Sequence, residues 1–211
     1  MKTSQNRRTL LLGLAGLTAL PLLQGCFPVV ATGVGAGAMM IADRRSSGTY
    51  VEDEGIEWKG FSLLRDHFGA LNHINVTAYN RNVLLTGEVQ NDNVRAEAER
   101  LIGTIQNVKG IINELRVGPA SSLTARANDG LITSNVKARF VDANRFSANH
   151  VKVVTEANIV FLMGLVTRSE ADAATEIART SQGVSKVVRV FEIISDEEAL
   201  RLSGGRRPAS N

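Results

Sequence analysis

With 211 residues, 44% of them hydrophobic and 21% charged, the chain has the composition of a globular protein of one medium or two small domains. Its formal charge of +3 comes from Lys2, Arg7 and Arg8, because from residue 26 onward 21 basic residues meet 21 acidic ones. That balance argues against nucleic acid as a partner, and a single cysteine excludes an internal disulfide.

The first 25 residues read as an export signal: a basic start, then an apolar run from Leu10 to Leu23 that is short for a membrane span, then Leu23-Gln24-Gly25-Cys26. This stretch resembles a bacterial lipoprotein signal. The resemblance implies cleavage after residue 25 and lipidation of Cys26, and Phe27 rather than aspartate after the cysteine implies sorting to the outer membrane. Residues 26–48 are expected to form a lipid-anchored tether. Its Gly/Ala/Val/Met-rich part has too much glycine for a stable second membrane helix, so it either lies against lipid or packs in an assembly. The run Asp43 to Thr49 reads as a polar linker.

A first unit, 49–118, begins with a weak helical pattern, Ile56, Phe61, Leu64 and Phe68, interrupted by Gly55 and Gly60. A β-hairpin follows, turning at Asn80-Arg81-Asn82, with Val76, Ala78, Val83 and Leu85 on one side. Asn91 or Asp92 caps a helix whose inward stripe is Ala98, Leu101, Ile102 and Ile105, and Val108-Lys109-Gly110 leads into a strand, Ile111 to Val117. A second unit, 126–195, repeats the order. Leu131, Ile132, Val136 and Phe140 mark its first helix, Val151 to Gly164 its hairpin, and Ser169 to Thr180 a helix capped by Ser169 with Asp172 as reciprocal partner. Val187 to Ile194 is its last strand. Residues 196–211 are expected to be a frayed polar tail. Trp58 is read as packing over the first unit, with exposure to a partner as the alternative, and Leu131 and Ile132 are read as core.

The two units are one repeat. INVTAYNRNVLLTG aligns without a gap on VKVVTEANIVFLMG, from Val151 to Gly164, and the later pairs Val108/Val184 and Leu101/Ile177 follow after the loss of one residue. With VLLTGEV and VFLMGLV, and the closing VKGIINELRV and VSKVVRVFEI, each unit resembles the BON domain of bacterial envelope proteins. With the signal, the whole is similar to paired-BON outer-membrane lipoproteins. The resemblance implies an α+β fold of two tandem domains, each helix-strand-strand-helix-strand, lipid-anchored in the outer membrane and facing the periplasm. It also implies a part in envelope integrity, with phospholipid contact by the second domain around its first helix.

Charge agrees with that assignment. From Thr49 to Val117 there are 7 basic and 10 acidic residues, whereas Arg126 to Ser195 holds 9 basic and 7 acidic, so the second unit suits an anionic lipid surface. The candidate phospholipid-binding residues are Val136, Lys137, Arg139, Phe140, Arg145, Phe146 and Lys152; a solvated face or a protein-partner face are the alternatives. Gly87 and Gly164 belong to no phosphate-binding pattern and read as backbone accommodation at strand ends. His67, His73 and His150 fit no ordinary zinc spacing, and no nucleophile motif is present, so neither an enzyme, a cofactor nor a metal is expected. The other reading is an oligomeric structural or protein-interaction module, bound to an envelope protein or to its own copies and merely located by its lipid.

Overall fold

In a computed structural model, residues 43–204 are described. The expected signal, Cys26 and the Gly/Ala-rich tether lie outside the described residues, as does the end of the tail. Each repeat has the expected α+β order. In the first, α1 (Ser47–Phe68) and a short 3-10 turn lead to β1 (His73–Tyr79), β2 (Asn82–Val89), α2 (Asp92–Ile102), and a third strand in two pieces, β3 (Gly110–Asn113) and β4 (Arg116–Val117). The second repeat has α3 (Leu123–Ala143), a 3-10 turn, β5 (Lys152–Glu156), β6 (Ile159–Val166), α4 (Arg168–Arg179) and β7 (Lys186–Ile193), followed by α5 (Asp196–Leu202). In both sheets the hairpin is antiparallel and its second strand is central, pairing in parallel with the strand that follows the helix.

The hairpins close through two-residue turns at Asn80-Arg81 and Ala157-Asn158, all four with positive φ, the geometry that matches strand twist. One aspartate from the preceding helix holds each turn. Asp53 accepts from the N–H groups of Asn80 (2.8 Å) and Arg81 (2.7 Å), and Asp129 from those of Ala157 (2.9 Å) and Asn158 (2.8 Å). Both carboxylates are buried and fully occupied, so they tie helix to hairpin.

Alternation along the strands explains the layering. Val83, Leu85 and Val89 face α1 and α2, and Val160, Leu162 and Val166 face α3 and α4, forming one core per repeat. The intervening residues, Leu84 on β2 and Phe161, Met163 and Leu165 on β6, point the other way and meet in a third apolar cluster with Tyr79, Ile112, Val154, Val188 and Val190. The two sheets therefore stack back to back with helices outside. That is why β2 and β6 are apolar on both faces and buried along almost their whole length. Gly87, at φ 114°, and Gly164 sit where a Cβ would run into the carbonyl oxygens of His73 and His150, so both serve close backbone approach within the hairpins.

Several local expectations are corrected. The supposed linker Asp43–Thr49 contains the α1 start, capped by Ser46 Oγ; Arg44 is buried, and the side chain of the half-buried Arg45 is covered by its pairing with Asp43 and Asp53. Arg44 reaches across to the second repeat, giving hydrogen bonds to Glu170 (2.5 and 2.9 Å) and the Leu165 carbonyl (2.9 Å). The cap of α4 is Thr167, not Ser169: Thr167 Oγ1 accepts from the Glu170 N–H, and the Glu170 carboxylate accepts from the Thr167 N–H, a capping box two residues earlier. The tail folds as far as α5, because Ser195 caps it, three acids occupy its first turn, and Ala199 and Leu202 find apolar contacts. Trp58 is 62% exposed and Leu131 70%, so neither is core, whereas Ile132 is.

Candidate functional site

Helix α3 begins at the Ser122 cap and ends at Asn144, whose left-handed conformation stops it. Its inward face is Asp129, Ile132, Val136 and Phe140, spaced three and four apart. Val136 and Phe140, expected at a lipid surface, are instead fully buried against the sheet, because they fall on the same side as the turn-holding Asp129. Phe146, expected in the headgroup layer, packs on the same core edge-to-face with Phe140, with centroids 5.0 Å apart.

The basic set is also dispersed. Arg139 holds the end of α4, donating to the Ile177 carbonyl (2.8 Å), Ser181 Oγ (2.7 Å) and Thr180 Oγ1 (3.1 Å). Lys152 pairs with Glu57 of the first repeat at 2.6 Å and so bridges the repeats. Arg145 stays at the surface, 2.9 Å from Glu176. Lys137 makes no ion pair among the described residues. Desolvation of its ammonium and the charge of Lys152 lower its pKa.

What α3 turns outward was not among the expected site residues. Leu123, Ala127, Leu131, Ser134, Ala138 and Val141 are all exposed and, at 3.6 residues per turn, share an arc of about 80°. Leu123 is 81% exposed and Val141 65%. Lys137 borders the stripe, whereas Arg145 lies past the Asn144 stop and turns to Glu176. The signal was present in the sequence: these positions complement the Ile132/Val136/Phe140 face, and only the choice of inward side was missing. α1 carries a counterpart in Val51, Trp58 and Phe61.

No helix among the described residues is long and apolar enough to cross a membrane. Two sheets, each a hairpin plus a parallel third strand and each backed by helices, define a pair of small α+β domains of one kind. A BON-domain profile matches residues 62–119 and 128–195, and the chain belongs to that family, among its paired-domain outer-membrane lipoproteins. It is 36% identical over 180 residues to the Outer membrane lipoprotein DolP of Haemophilus influenzae, covering 84% of this chain and 93% of that protein. The 21 kDa hemolysin of Actinobacillus pleuropneumoniae is 36% identical over 154 residues (72% and 79%). The Osmotically-inducible protein Y of Escherichia coli is 28% identical over 160 (74% and 80%).

Proposed function

We propose that this lipoprotein is non-catalytic and supports envelope integrity by holding anionic phospholipid at the periplasmic face of the outer membrane. Acyl chains on Cys26 retain it there, and the outer face of α3 makes the contact. The observation that carries this reading is the exposed stripe Leu123, Leu131 and Val141, bordered by Lys137, which has no ion pair among the described residues. Burying a leucine or valine side chain contributes about 1.5–3 kcal/mol, and each cation near an anionic surface about 1 kcal/mol. A few such contacts are weak for a free protein, but the anchor raises the local lipid concentration and makes them sufficient.

A tryptophan placed in the stripe tests it. Leu131→Trp in a Trp58→Phe background should show a blue-shifted emission with phosphatidylglycerol-containing vesicles and none with phosphatidylcholine alone. An unshifted spectrum with both would reject the reading. A second reading concerns the first repeat, where Trp58 and Phe61 stand exposed on a unit with three excess negative charges. Such a face suits a basic envelope protein better than anionic lipid.

A further inference from the structure

The back-to-back packing of the sheets is apolar at one end and polar at the other. At the polar end, β1 and β2 place His73 opposite Glu88 and Asn75 opposite Thr86, on the face turned toward the second repeat. Glu156, at the end of β5, comes to the same place. His73 Nδ1 is 3.1 Å from Glu88 Oε2 and 3.8 Å from Glu156 Oε1, and one ligand atom of each residue lies within 4.8 Å of the other two. Both carboxylates are buried.

Burial raises the Glu156 carboxyl pKa, outweighing the hydrogen bond from Asn75 and the proximity of His73. The neighbouring Asp129 adds a further negative charge but is committed to the hairpin turn. One imidazole therefore faces two buried acids. Arg126 stands at the margin, donating to Ser121 Oγ, and Ser121 N–H donates to Glu88. A second, independent feature points to a missing partner: Thr86, 1% exposed on the same strand face as Glu88, has a hydroxyl with no hydrogen-bond partner. A cleft of about 380 Å³, lined by His73, Asn75, Arg126, Asp129, Thr133 and Glu156, gives access from solvent.

We propose that His73, Glu88 and Glu156 form a site for a divalent first-row transition metal, zinc in the first instance, shared between the two repeats. Two carboxylates neutralise a divalent ion, and one nitrogen with two oxygens is a donor set that zinc accepts at about 2.0–2.2 Å. Tetrahedral ligands at that distance stand about 3.4 Å apart, close to the separations around His73 Nδ1. The metal would take the Nδ1 lone pair of the neutral imidazole, the form whose ring proton is on Nε2. Asn75 Nδ2 donates to Glu156 Oε2 at 2.7 Å and so orients that carboxylate from outside the ligand set. Because the ligands come from both repeats, the ion would lock their relative position.

The test uses the full chain in detergent, stripped with EDTA and titrated calorimetrically at pH 7 with zinc chloride and, separately, calcium chloride. One zinc per chain is expected, with a rise in Tm and binding at least about 10-fold tighter than calcium. Glu88→Gln and Glu156→Gln should each weaken zinc about 100-fold, since even outer partners of a metal site contribute 10–100-fold. His67→Ala, at the exposed end of α1, should bind as the parent does. Cobalt should give a visible d–d band that both glutamine variants lose. If either variant does not fold by circular dichroism, His73→Gln carries the same comparison. No saturable zinc uptake, uptake unchanged in the variants, or equal affinity for calcium would overturn the assignment.

Discussion

Arg44→Ala is expected to destabilise the folded chain by about 2–3 kcal/mol at pH 7, and by much less in acid. Arg44 is 6% exposed and gives Glu170 two charge-assisted hydrogen bonds, at 2.5 and 2.9 Å, with a third to the Leu165 carbonyl. Burial raises the Glu170 pKa, but His150, Arg44 and the Thr167 N–H together bring it down to about 2 from its usual 4.5. A net displacement of that size, partners against burial, corresponds to about 3 kcal/mol, and the Thr167 N–H and His150 survive the substitution. Losing the buried guanidinium adds an unsatisfied carbonyl, and partial solvent access to Glu170 offsets some of that cost. Because the carboxyl is held below its unfolded value, its contribution is fully present above about pH 4.5 and disappears as pH falls through about 2. Urea unfolding followed by circular dichroism at pH 7 and pH 2.5 should therefore show a clear gap between parent and variant that mostly closes in acid. A gap of equal size at both pH values, or none at pH 7, would refute the ion-pair argument.

Asp129→Ala leaves two turn N–H groups without their acceptor and should cost about 2–4 kcal/mol in a denaturant titration. Asp53→Ala should behave alike, since it holds the corresponding turn. Gly87→Ala forces a Cβ into the His73 carbonyl at a positive φ, and a loss of about 2 kcal/mol or more in thermal unfolding is expected. Phe140→Ala opens the second core and should cost about 3–5 kcal/mol by the same assay, whereas Leu131→Ala should leave Tm within a degree or two.

The parts legible in the sequence were those written locally. Asn80-Arg81-Asn82 marks a turn, the apolar segments closing on Gly87 and Gly164 mark strands, and the alignment of one hairpin on the other reveals the duplication; that β2 and β6 are covered on both faces follows only from the stacking of the sheets. The tail and the segment before α1 were misread because their order depends on distant partners: Arg44 meets Glu170, 126 residues away, and Leu202 joins the cluster between the sheets. The candidate site was half legible. Val136 and Phe140 were correctly placed on one face of a helix, but the Asp129 contact to the hairpin decides that this face is inward. Arg139 and Lys152 looked available as charges, yet the end of α4 and Glu57 engage them. His73, Glu88 and Glu156 have no sequence spacing to betray them, since strand pairing and sheet stacking bring them together.

Contact between the outward face of α3 and anionic lipid is tested most directly by vesicle flotation. A leaderless chain with Cys26→Ser has no acyl chain to insert, so any flotation reports surface contact. It should float with vesicles containing phosphatidylglycerol and stay behind with phosphatidylcholine alone, and Leu131→Asp with Val141→Asp should abolish flotation without lowering Tm. Flotation unchanged by that pair of substitutions, or equal on both kinds of vesicle, would contradict it.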